Sequence, residues 1–176
     1  MNRHDFDPGP LAATHAIAEG ERWTVVFVRR LPHPPAAVWG ALTDPDQIAS
    51  WAPFTADRDL AKPGPATLTN MDGDDAADST PAEVTQCEPP SLLEYTWGPG
   101  LVRWELAPDG DGTLLTLRHT MDDRERLPMT AAGWHLCLAV ADHLLAGDPI
   151  GPIRGQEAKE GGWDELNEAY RAVLLD

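Results

Sequence analysis

Basic residues are scarce in this chain: 13 Lys and Arg stand against 29 Asp and Glu in 176 residues, a formal net charge of −16. Nucleic acid and anionic membrane surfaces are gripped by clustered Lys and Arg, so this balance argues against both as partners and reads as a well-solvated surface. Cysteine is nearly missing, with Cys87 and Cys137 alone. One falls on an expected strand and the other on the apolar arc of an expected helix, so each reads as a small buried hydrophobe rather than half of a disulfide. No apolar run approaches the ~20 residues of a spanning helix, which excludes membrane insertion through such a helix. The first ten residues lack the apolar core of a signal peptide, and the cytoplasm is the expected compartment. Phe and Tyr number 3 and 2, yet Trp numbers 7. Indoles must therefore fill, or line, much of whatever interior the chain encloses.

Catalytic and cofactor motifs are lacking as well. There is no Gly-x-Ser-x-Gly, and Ser50, Ser79 and Ser91 fall by turns or helix ends. Gly161-Gly162 and Gly110-Asp-Gly112 lack the strand–loop–helix context of a phosphate cradle. Asp72, Asp74 and Asp78 have a calcium-like look, but no Glu closes an EF-hand loop and the flanks predict strands, so 72–78 reads as a solvated acidic turn. His135, Asp142 and His143 lie on the expected solvent face of a helix with no further ligand in view, which is no zinc site. The reading is no catalytic residue, no metal and no cofactor.

What the sequence does hold is one long helix over 130–146. At about 100° per residue, Trp134, Leu136, Cys137, Leu138, Val140, Ala141, Leu144 and Leu145 spread over half its circumference. That stripe is too wide for a flat sheet and suits a helix gripped by a curved one, with Gly147 as its stop. His135, Ala139, Asp142 and His143 make up the remaining, solvent-side arc. Upstream, residues 1–20 read as a flexible lead-in punctuated by Pro8-Gly9-Pro10. The first strand runs over 22–31, with Trp23, Val25, Phe27 and Leu31 on one face. Two short helices follow, at 36–43 and from Asp44-Pro45 to Trp51. From Phe54 to Thr120 the pattern is strand and turn: short strands at 58–60 and 66–70, then 82–87, 91–97, 101–107 and 113–121. Pro108-Asp-Gly-Asp-Gly112 is a strong hairpin signal. Alternation turns Val102, Trp104, Leu106, Leu115, Leu117, His119 and Met121 inward. A Gly/Pro linker from 148 leads to an amphipathic helix over 163–174, through Trp163, Leu166, Tyr170 and Leu174, which either folds back or meets a second subunit.

That order is the helix-grip order, and several segments agree with it. Arg29-Arg-Leu-Pro-His-Pro-Pro-Ala-Ala-Val-Trp-Gly-Ala-Leu-Thr-Asp-Pro45 resembles the start of the SRPBCC (START-like, Bet v 1-like) superfamily. Leu93-Glu-Tyr-Thr-Trp97, Arg103-Trp-Glu-Leu106, Leu115-Thr-Leu-Arg-His-Thr120 and Ala132-Gly-Trp-His-Leu-Cys-Leu138 resemble bacterial proteins with the domain named for the C-terminal half of the Hsp90 ATPase activator. The resemblance implies an α+β fold with a bent antiparallel sheet wrapped round the long helix, a domain over 21–147, and a cavity open near one end. It implies use of that cavity for lipids, sterols, polyketides or other apolar molecules. Co-chaperone activity does not carry over on the name alone, because the twenty residues before the first strand are too few for the activators' additional N-terminal domain.

The expected function is therefore binding of a small hydrophobic or amphipathic ligand, with a stress-response or regulatory role. The alternatives are a cyclase, dehydratase or hydrolase using the same cavity, or a protein-interaction module with a filled core and an exposed apolar patch near the last helix. The expected ligand-binding set is Trp51, Phe54, Tyr95, Trp97, Trp104, His119, Met121, Trp134 and Leu138. His119 stands out, because an inward imidazole must find a partner, and it could act as polar anchor or acid–base group. A homodimer through the C-terminal helix is the one protein partner expected.

Overall fold

The computed structural model describes residues 5–71 and 78–175. The acidic turn, apart from Asp78, lies outside them. Eight antiparallel strands form one sheet in the order β1-β2-β8-β7-β6-β5-β4-β3: β1 (Ala13–Glu19), β2 (Arg22–Leu31), β3 (Phe54–Ala56), β4 (Gly64–Asn70), β5 (Asp78–Glu88), β6 (Leu92–Trp97), β7 (Gly100–Asp109) and β8 (Gly112–Met121). Helices α1 (Pro35–Thr43) and α2 (Pro45–Ile48) follow β2. Asp44 caps α2 through its carboxylate on the Asp46 N–H, and Pro45 supplies a pre-set first turn. Helix α3 (Leu127–Leu145) lies in the sheet's concave face, and α4 (Gln156–Glu160) and α5 (Trp163–Leu174) complete the chain. The helix-grip expectation holds.

Register explains which side chains meet α3. Phe27 pairs with Leu117, Leu117 with Trp104, and Trp104 with Leu93, so one row crosses four strands on the inner face. The next row runs Val25, His119, Val102, Tyr95 and Val84. Because side chains alternate, Arg29 opposite Leu115 also belongs to the inner face. It reaches Asp142 of α3 at 3.8 Å, and His33 Nε2 lies 2.6 Å from the same carboxylate. A charge cluster thus seals the end of the grip at the C-terminal half of α3. Leu31, Leu106 and Leu115 pack there, all under 5% exposed.

Three expectations are corrected, and one alternative is decided. Residues 13–19 of the lead-in form β1, paired along β2 from Ala13↔Val28 to Glu19↔Arg22; the edge of β2 supplies the backbone partners that an Ala-rich segment needs to hold extended. Residues 58–60 are a bend rather than a strand, held by the Arg58 guanidinium donating to the carbonyls of Asp59, Lys62, Gly64 and Pro65. The supposed solvent face of α3 is covered: His135 is fully buried. Its Nδ1 sits 2.6 Å from the Tyr170 hydroxyl and its Nε2 2.7 Å from the Pro8 carbonyl. The Ala12 N–H donates to the same hydroxyl, so β1's lead-in, α3 and α5 meet at one polar knot. Asp142 is engaged by Arg29 and His33 while remaining partly exposed. Finally, α5 folds back: Leu166, Tyr170 and Leu174, at i, i+4 and i+8, are buried within the chain. The fold-back alternative thus accounts for this apolar face, at about 1.5–3 kcal/mol per large side chain.

Candidate functional site

The indoles divide into two groups. Trp51, Phe54, Tyr95, Trp104 and Leu138 are all no more than 3% exposed and fill the middle of the grip. Their polar tips are satisfied internally, with Trp51 Nε1–H donating to the Ala41 carbonyl at 2.8 Å and Trp104 Nε1–H to the Tyr95 hydroxyl at 3.0 Å. Ring centroids of Trp104 and Trp134 are 5.2 Å apart, edge to face, and Trp51 packs edge-on to Trp104 at 6.1 Å. These five residues, expected to touch a ligand, are core. They are not among the residues lining the cleft at the mouth of the grip.

The other four expected residues, Trp97, His119, Met121 and Trp134, do come together. They line a cleft of about 610 Å³ at the mouth of the grip, where the N-terminal half of α3 leaves the sheet edge. The β6–β7 turn at Gly98 to Gly100 forms one lip. Beyond the strands and α3, part of the wall comes from Ile153, Arg154, Ala158 and Lys159, which pattern reasoning passed over as linker, and from Trp163. Arg154 fixes this segment by donating from Nε and Nη2 to the Ala52 carbonyl at 3.1 and 2.6 Å. Asn70 and Met129 were missed too. The only sequence hint of the C-terminal wall is Trp163 at the head of an amphipathic helix, and nothing local says that it faces a cleft.

His119 is the polar centre of this space. Its ring lies 5.7 Å from that of Trp97 and 6.1 Å from that of Trp134. The Trp134 Nε1–H donates to its Nδ1 at 3.0 Å. An indole can only donate, so Nδ1 accepts and the proton of the neutral ring sits on Nε2. Burial, reinforced by the positive charges of Arg126 and Arg22, pushes the imidazolium's pKa down to about 4. The ring is therefore a neutral donor at physiological pH rather than a proton abstractor. Nε2 has no hydrogen-bond partner among the described residues, and it is not among the atoms fully closed off from solvent. An acceptor that replaces water on this donor gains about 0.5–1.5 kcal/mol, the net worth of a typical hydrogen bond. Gly100 keeps that approach open: a Cβ there would stand 3.1 Å from Nε2 and 3.0 Å from the Thr120 carbonyl. Among the described residues no His, Cys, Asp and Glu cluster could hold a metal, and no helix is long and apolar enough to cross a membrane.

A curled antiparallel half-barrel closed on a long C-terminal helix is the SRPBCC, or Bet v 1-like, architecture. Within it, the sequence model of the family described as "Activator of Hsp90 ATPase homolog 1-like protein" matches residues 32–146, and the chain belongs to that family. Among solved structures, CalU16 from Micromonospora echinospora is 24% identical with a TM-score of 0.66, over 92% of this chain and 96% of that one. MLL2253 from Mesorhizobium loti is 27% identical with a TM-score of 0.61, over 72% of this chain and 99% of that one. DynU16, from the dynemicin biosynthetic locus, is 26% identical with a TM-score of 0.59, over 72% of this chain and 48% of that one. The likeness to CalU16 thus extends well past the family segment, into the pieces that flank it. No curated protein matches the sequence.

Proposed function

We propose that the chain binds a small apolar or amphipathic molecule in the cleft at the mouth of the grip. The observation that carries this reading is an open space of about 610 Å³ walled by Trp97, Trp134, Met121 and Met129, with one unpartnered buried donor at its centre. Cleft volumes of ~300–1,000 Å³ with few polar groups suit ligands of drug-like size. DynU16's place in the dynemicin biosynthetic locus supports a biosynthetic product or precursor as the cargo. The His119 tautomer favours binding over acid–base catalysis, since neither ring nitrogen is available as a base: Nδ1 is engaged and Nε2 carries the proton. A cytoplasmic role as carrier or ligand-responsive regulator accords with this.

Native mass spectrometry of the freshly purified protein, set against its denatured mass, tests the reading. A co-purifying small molecule that dissociates on denaturation is expected. A clean apo mass, together with no thermal stabilisation by any member of an apolar and aromatic compound set, would overturn it.

A further inference from the structure

We propose that the molecule taken by this cleft is an aromatic frame bearing an anionic oxygen, an aryl carboxylate or phenolate, with that oxygen on the Nε2–H of His119 and its charge balanced by Arg126 and Lys159. This rests on the ligand-binding reading above and narrows it to a chemical class.

Three observations point the same way. First, the polar groups that face the cleft and remain unengaged are donors. His119 is 8% exposed and offers only Nε2–H. Asn70 accepts from the donor-only Trp97 Nε1–H at 2.9 Å through its Oδ1, which leaves its amide NH₂ without a partner among the described residues. Second, the two carboxylates of the rim are engaged. Asp122 accepts from Arg22 Nε–H at 2.8 Å, and Asp123 accepts from the Glu125 N–H at 3.0 Å. Third, two cations on the cleft wall, Arg126 just before α3 and Lys159 on α4, carry no ion pair among the described residues. In a chain of net charge −16, these two exposed cations and two unmet donors outweigh the rim carboxylates, of which Asp122 is paired with Arg22 and Asp123 keeps its charge, and leave the lining with a modest positive excess. Such a site rewards an acceptor or an anion and repels an amine, which would bring N–H against N–H and charge against like charge. The flanking indoles of Trp97 and Trp134 ask for a flat, apolar remainder.

The test is calorimetric titration of the full chain with three probes of one shape: 2-naphthoate, its methyl ester and 2-methylnaphthalene. Indole N–H NMR signals report occupancy of the cleft. The expected order is naphthoate at least ten-fold tighter than the ester, and the ester several-fold tighter than the hydrocarbon. Arg126→Ala with Lys159→Ala should bring naphthoate down to the ester and leave the ester unchanged. His119→Phe should bring the ester down to the hydrocarbon; if it does not fold, Asn70→Ala, at the partly exposed end of β4, removes the second unmet donor and should weaken the ester in the same direction. Equal affinity for all three probes, or tighter binding of 2-naphthylmethylammonium, would overturn the chemical class while leaving ligand binding intact. Failure of every probe to shift the Trp97 and Trp134 signals would overturn the ligand-binding reading itself, and this inference with it.

Discussion

Trp134 on α3 and His119 on β8 share one hydrogen bond across the grip, Nε1–H to Nδ1 at 3.0 Å, and that bond fixes which nitrogen of the imidazole keeps its proton. The ring's pKa is lowered to about 4 by burial, against about 6.5 unfolded. Between those values the unfolded chain holds a proton that the folded chain refuses, so stability is full above pH 6.5 and declines as pH falls toward 4, by about 1.4 kcal/mol per unit at most. His135, also lowered chiefly by burial, acts with the same sign. Urea midpoints measured from pH 7 to pH 4 should fall steeply for the wild type and less steeply for His119→Phe. An identical slope in the two proteins would assign the acid sensitivity elsewhere.

Core and lining indoles should respond differently to truncation. Trp104→Ala removes a side chain that is 1% exposed and should cost about 3–5 kcal/mol in chemical denaturation. Trp97→Ala, at the edge of the cleft, should cost about 1–2 kcal/mol while weakening ligand binding markedly. Comparable stability losses would mean that Trp97 is core after all.

Tyr170→Phe keeps the ring against Phe27 and His135 but removes the hydroxyl that serves both His135 and the Ala12 N–H. Two buried groups lose their partner, and a loss of about 2 kcal/mol is expected. Hydrogen exchange should quicken in β1 and α5 before it does in β7 or β8. Uniform acceleration across the sheet would contradict the knot's local role.

Gly100→Ala tests the approach to His119. The new methyl would crowd Nε2 at 3.1 Å and the Thr120 carbonyl at 3.0 Å, and backbone cannot yield as a flexible side chain does. Ligand affinity should drop at least ten-fold, with a visible shift of the Trp134 indole proton. Unchanged affinity would show that ligands do not reach Nε2.

His119 was legible in the sequence because strand alternation needs no tertiary knowledge: Leu115, Leu117, His119 and Met121 share a face in any antiparallel strand. The fold was legible for the same reason, through the width of the α3 stripe and the order of elements. Separating Trp51 and Trp104 from Trp97 and Trp134 was not. All four point inward, and only the packing of Phe54, Tyr95 and Leu138 around them decides which side faces open space. His135 misled because periodicity reports polarity, not what covers a face, and its partner Tyr170 lies on a different helix. The Ala-rich stretch 13–19 carries little strand propensity of its own, and its structure comes from the edge of β2. The cleft wall at 153–163 came from a stretch whose Gly and Pro content reads locally as linker.

The Arg29–Asp142–His33 cluster and the leucines beside it give the grip a blind end. Among the described residues the cleft opens between the β6–β7 turn and the C-terminal segment, and under the proposed ligand-binding reading a bound molecule leaves by that opening before another takes its place. Exchange becomes a queue rather than a flow. The rate at which a bound molecule departs should therefore be indifferent to how much competitor waits outside, and the residues that set residence time are those at the doorway, Arg154 among them, rather than those in the depths of the sheet.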